Sequence, residues 1–329
     1  MIPKRGKSSK IITILFVLFL ILIPLIVKDI YLLHILNMVG IFSLLAIGLN
    51  LVLGYCGQFS VGQAGFYAIG AYTSALLCTK LHFSFWLAIP IAGIFAGLAG
   101  LLIGPVLRLR GIFLGMSTLA FGEIVRMIVN NWIPLTNGPN GIMNIPPPKL
   151  GSFSFSSEHS FYYIILFFVI LHFVVALRMV DSRFGRAMKA IRDNQDAAEV
   201  VGIWAARYKT LTFVVAAFFA GIAGSLYAHL TAYISPEVFT FWTSVNVIFM
   251  LIVGGMGSLT GSILGAFAIV SLPEFFRMFE RYRMIIYPFT IIFILLFFPK
   301  GLYGFWQWIQ SSLAKVLSPS RGRVQAESR

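Results

Sequence analysis

The chain of 329 residues is 59% hydrophobic and 11% charged, with a mean hydropathy of +0.90, a composition that excludes a water-soluble fold and marks an integral membrane protein. Its 25 Lys and Arg against 11 Asp and Glu give a formal net charge of +14, yet the basic residues are spread over short connections between apolar runs. That pattern is one of membrane orientation and sets nucleic acid aside as a partner.

Apolar runs approaching the length of a bilayer crossing lie near 11–27, 32–53, 63–79, 85–107, 111–131, 161–179, 210–231, 241–257, 259–276 and 284–298. They predict an all-α integral membrane protein of about ten transmembrane helices. The first run follows Lys4, Arg5, Lys7 and Lys10 and has no A-x-A-like cleavage site before Lys28 and Asp29, so it reads as a retained helix and not a signal peptide. An even number of spans puts both termini on one side. With that side cytoplasmic it also holds Arg108 and Arg110, the seven basic residues of the 178–209 region, and Lys300, Lys315, Arg321, Arg323 and Arg329. Residues 1–10, 180–209 and 299–329 are then cytoplasmic and 132–160 external, while Arg277, Arg281 and Arg283 fall on the wrong side.

The external segment contains "NNWIPLTNGPNGIMNIPPPK", whose Pro and Gly clusters specify turns. In the 180–209 segment, Asp193, Asp196 and Glu199 together with Val200, Val201, Ile203 and Trp204 predict short amphipathic helices beside the membrane. Cys56 and Cys78 lie in apolar runs without metal-ligand or disulfide spacing and read as small core residues.

Two stretches break the apolar pattern. "GYCGQFSVGQAGFYAIGAY" at 54–72 and "GGMGSLTGSILGAFAI" at 254–269 predict broken or re-entrant helix. In hydrocarbon every backbone group must be paired, so such a break belongs inside the bundle or along a wet cavity. Gly54, Gly57, Gly65, Ala68 and Ile69 recur 200 positions later as Gly254, Gly257, Gly265, Ala268 and Ile269, which either internal duplication or tight helix packing would produce. Gln58, Ser60, Gln63, Gly257 and Ser258 are the candidate path residues, because amides and hydroxyls at membrane depth are costly unless they meet a partner. Glu123 joins them as an acid within a span; three residues from Arg126, it can instead form a self-neutralised pair.

No energy source is legible in the chain. "RGKSS" at 5–9 lacks the leading glycine of a phosphate-binding loop, the five histidines are scattered, and the spans hold no run of acids suited to proton-driven transport. No catalytic constellation or metal set stands out, so neither an enzyme nor a resident cofactor is expected, and any work must come from a partner or a solute gradient.

"GLNLVLGYCGQFSVGQAGFYAIGAY" (48–72), "GIFLGMSTLAFGEIVR" (111–126), "NGPNGI" (137–142), "SRFGRAMKAIRDNQDAAEVVGIWAARYKTLTFVVAAFFAGIAGSLYAH" (182–229) and "GGMGSLTGSILGAF" (254–267) together resemble the LivM-type permeases of bacterial branched-chain amino-acid ABC importers. The resemblance implies a single permease domain over 1–329 in the bacterial cytoplasmic membrane. It also implies a homologous LivH-type permease beside it, two cytoplasmic ATPase subunits that bind the ATP, and an extracytoplasmic substrate-binding protein. It further implies that the 182–209 loop docks on an ATPase, with Gly185, Arg192, Asp193, Ala198 and Gly202 as the carried-over positions. Importers of urea, short amides and other amino acids use similar permeases, and an autonomous carrier is the competing class.

Overall fold

A computed structural model of the chain describes residues 20–24, 27, 29–109, 111–151 and 153–276, together with 289, 290, 292, 293, 296 and 301–304. The described residues are mostly helix, the one open-ended element that pairs its backbone groups within a single segment. The helices are α1 (Ile30–Asn50), α2 (Gln63–Thr79), α3 (Phe85–Leu102), α4 (Ile112–Asn131), α5 (Glu158–Asp181), α6 (Arg183–Asp193), α7 (Gln195–Val200), α8 (Ala205–Thr231), α9 (Phe241–Gly254) and α10 (Leu259–Phe275). Their starts follow local chemistry: Asp29 accepts from the Tyr31 N–H, Ser182 from Phe184 and Gly185, Asn194 from Ala197 and Ser258 from Gly261.

Small residues bring the helices together, as they must where lipid supplies no hydrophobic drive between them. The central helix α8 packs on α2, α3 and α1 through Ala216, Ala217, Ala220, Gly221, Ala223, Gly224 and Ala228. A Cβ on Gly224 would stand 2.7 Å from the Ala71 amide nitrogen, and one on Gly70 would strike the Gly221 backbone. Around this crossing Tyr67 and Tyr72 pack edge-on against Phe239, and Phe66 against Phe213.

The two ends of the bundle differ. At one end, residues 182–204 lie across the last turn of α1 and the start of α10. At the other, 132–160 is bound to its neighbours: β1 (Ile142–Met143) pairs antiparallel with β4 (Tyr233–Ile234), while β2 (Lys149–Leu150) and β3 (Phe153–Ser154) form a small hairpin. His229 donates Nδ1–H to the Pro146 carbonyl at 2.7 Å, which leaves Nε2 to accept from Ser74 at 2.9 Å. Lys80 Nζ donates to the Pro134 and Leu135 carbonyls. Beside it, a cavity of about 520 Å³ is lined by Lys80, Asn137, Asn140 and Asn144 among others.

The expected count of about ten spans is not confirmed. Six described helical stretches are long and apolar enough to cross a membrane: Ile30–Tyr55, Phe85–Leu102, Ile112–Asn131, Glu158–Asp181, Ala205–Thr231 and Pro236–Gly254. The segments expected at 63–79 and 259–276 are helices of 17 residues each, because each starts only after a glycine-rich break has consumed the turns before it. The segments near 11–27 and 284–298 fall largely outside the described residues, as do Arg277, Arg281 and Arg283 and most of both termini.

Candidate functional site

The two glycine-rich breaks meet at the end of the bundle that carries 182–204. α1 does not stop at Asn50 but widens into a π-helical turn, Leu51–Tyr55, before the backbone turns irregular. Across from it, α9 ends at Gly254 and the chain turns through Gly255 (φ 110°) and Gly257 (φ 79°) into α10. Both values lie in the left-handed region that favours glycine.

Asn50 joins the breaks. Fully buried, it donates from Nδ2 to the Ser258 carbonyl at 2.8 Å and to Ser262 Oγ at 2.7 Å, and its Oδ1 accepts from the Gly257 N–H at 2.9 Å. Gly54 completes the contact, since a Cβ there would collide with Asn50 Oδ1 and come within 2.6 Å of the Gly257 nitrogen. Gly301 (φ 69°) packs on the same place, 2.6 Å from its added Cβ to Gly255 Cα.

Residues 57–62 form no regular element, and hydroxyls borrowed from other helices pair backbone near the end of this stretch and in the first turn of α2. Val61 N–H donates to Thr118 Oγ1 of α4 at 3.0 Å, and Ala64 N–H to Ser244 Oγ of α9 at 2.9 Å. Ser60, fully buried, accepts from Gly62 N–H. A Cβ on Gly62 would sit 2.5 Å from the Thr118 carbonyl oxygen, so only glycine lets α2 start there. Gln58 and Gln63 are each 1% exposed; neither amide atom of the Gln58 side chain, nor Gln63 Oε1, has a hydrogen-bond partner among the described residues.

Asn50, which the sequence reading passed over, thus joins Gly257 and Ser258 to the Gly54 break, while Val61 and Ala64, beside Ser60 and Gln63, are held by Thr118 and Ser244. The only signal of Asn50 was weak: with Asn37 it is one of two amides inside an apolar span. Glu123 follows Gly122, which packs against Gly62 and Gly65. The acid lies partly exposed on α4, accepting from Arg126 Nε at 2.9 and 3.1 Å and from Nη2, which is the self-neutralised pair that the spacing allowed.

The 182–209 segment folds as expected into two short helices, α6 and α7. Its small residues turn inward: a Cβ on Gly185 would strike the Val180 backbone at the α5–α6 corner, and Ala198 is 3% exposed. Gly202 (φ 86°) lies in open space and ends α7 by donating its N–H to the Glu199 carbonyl. Arg192 and Asp193 pair with each other, and Arg192 reaches Gly54. Beyond them Val200, Val201 and Trp204 stand 87%, 74% and 71% exposed, an apolar edge on a polar segment.

Comparison with known proteins gives this arrangement relatives. The chain is 36% identical to the high-affinity branched-chain amino acid transport system permease protein LivM of Escherichia coli (strain K12), over 82% of this chain and 69% of LivM. It is 24% identical to the LivH permease protein of Salmonella typhimurium over 80% of this chain and 91% of LivH, and 24% identical to a probable LivM of Methanocaldococcus jannaschii over 72% and 78%. No solved structure matches it significantly. The family described as branched-chain amino acid transport system / permease component matches residues 31–295, and this chain belongs to that family.

Proposed function

We propose that the chain imports branched-chain amino acids as one of two membrane subunits of an ATP-driven transporter in the bacterial cytoplasmic membrane. A LivH-type permease sits beside it, two ATPase subunits bind and hydrolyse the ATP, and a binding protein delivers substrate from outside. The end carrying 182–209 faces the cytoplasm, as do both termini, and 132–160 faces outward. Similarity to both LivM and LivH supports the paired permeases and the substrate. The basic residues around 178–209 support the orientation.

The observation that carries the mechanism is the apolar edge of Val200, Val201 and Trp204, presented by a segment whose preceding helix already grips the breaks. An exposed apolar edge on a charged segment suits a protein groove. Movement of the docked ATPases shifts 182–209, and the breaks at 54–63 and 254–258 yield where helix is already interrupted. Solute passes along Gln58, Ser60, Gln63, Gly257 and Ser258, whose few polar groups among apolar walls suit a zwitterion with an aliphatic side chain. Glu123, held by Arg126, lies to the side of this route.

Replacing Trp204 by Asp in the reconstituted complex is expected to abolish substrate-stimulated ATP hydrolysis. Because Trp204 contributes little to the core, the bundle keeps its folded yield. Stimulation equal to the wild type would overturn the docking role.

A further inference from the structure

Arg192 closes α6 yet is committed to the membrane bundle. Its Nη1 donates to the Gly54 carbonyl at 3.0 Å, one of the acceptors a helix end leaves without an intrahelical partner. Its Nε and Nη2 both donate to Asp193 Oδ1, at 3.1 and 3.0 Å, which fixes the direction of the planar group. The chain is bare where the arginine crosses it. At Gly57 (φ 71°) a Cβ would stand 2.9 Å from Arg192 Cγ and 3.2 Å from its Cα, and at Gly257 a Cβ would stand 3.6 Å from Nη1. One turn earlier on α6, Lys189 holds its ammonium 5.7 Å over the Tyr55 ring. The helix therefore touches the π-helical turn at two successive points.

We propose that Arg192 is a positioning residue, the pin through which displacement of 182–209 reaches both glycine breaks. Seated, it holds the Gly54 carbonyl, and Gly54 lies against the Asn50–Gly257 contact that closes the breaks on each other. Withdrawn with α6, it leaves that carbonyl unpaired and lets 51–58 shift against 254–258. The pin rests on the reading of 182–209 as the segment driven by the ATPases.

The test uses the complete reconstituted complex with a photo-crosslinker on Val200→Cys and compares Arg192→Met, Arg192→Lys and Asp193→Asn. Arg192→Met keeps most of the unbranched stem and removes the donors and the charge, whereas Arg192→Lys restores a charged donor group. With Arg192→Met, the crosslink to the ATPase and basal ATP hydrolysis are expected to persist. Substrate moved per ATP falls about tenfold, the factor matching loss of one charge-assisted hydrogen bond. Arg192→Lys recovers most of the ratio, and Asp193→Asn, which removes the charge that steadies the guanidinium but leaves an accepting oxygen and does not touch Gly54, lowers it less. A merely structural arginine would lower yield and hydrolysis together and leave the ratio unchanged. An unchanged ratio in Arg192→Met, or no rescue by Lys, overturns the pin while the crosslink still stands. Absence of the crosslink in the unmutated complex overturns the coupling reading and the pin with it. Should Arg192→Met fail to assemble, Arg192→Lys and Asp193→Asn decide: wild-type ratios in both overturn the pin.

Discussion

Asn50, itself fully buried, makes three hydrogen bonds across more than 200 positions of sequence. Asn50→Ala removes the acceptor of the Gly257 N–H, while Ser262 Oγ still donates to the Ser258 carbonyl, and is expected to cost about 1–3 kcal/mol for the amide left unsatisfied. Thermal unfolding of the purified chain in detergent reads that loss. Gly54→Ala should be comparably harmful, since its methyl meets Asn50 and the Gly257 nitrogen. The double variant should lose less than the sum, because truncating Asn50 makes room for the methyl. The glycines of this contact were legible as interruptions in an apolar run; Asn50 stood out less, because two amides in a span show no periodicity and its partners lie 207–212 residues away, in the turn before α10 and in its first turn. The Glu123–Arg126 pair was legible for the opposite reason, as both residues sit on one turn of one helix.

At the level of helices, close approach separates essential glycines from tolerant ones. Gly224→Ala drives a methyl into the Tyr67 carbonyl and to 2.7 Å from the Ala71 nitrogen, so α2 and α8 must move apart. Gly97→Ala meets nothing nearer than 3.6 Å. The first is expected to lower the melting temperature of the purified chain by several degrees, and the second to leave it unchanged or slightly raised, since alanine is the better helix former. The amphipathic pair α6 and α7 could be read from composition and spacing alone, because caps and charge patterns act within a few residues. The inward orientation of Gly185 and Ala198 could not, since it depends on the corner that α5 makes with α6.

For the molecule as a whole, membrane class followed from hydropathy, but the number of crossings did not. α2 and α10 keep the expected bounds to within one residue but, at 17 residues each, fall short of the six stretches long enough to cross, and the runs near 11–27 and 284–298 lie largely outside the described residues. On the proposed function, the chain reconstituted alone in liposomes should accumulate no leucine against a gradient, and only the full set of subunits with ATP should do so. Uptake by the isolated chain would favour an autonomous carrier. The two ends of the bundle also differ in what they ask of a visitor. Around 132–160 the strand pairing with Tyr233–Ile234, the Pro146 bond to His229 and the two carbonyls held by Lys80 have already removed most of the backbone freedom. On the proposed function, a binding protein landing there would have less loop entropy to quench, so that even a small, wet footprint would give useful affinity and still release quickly.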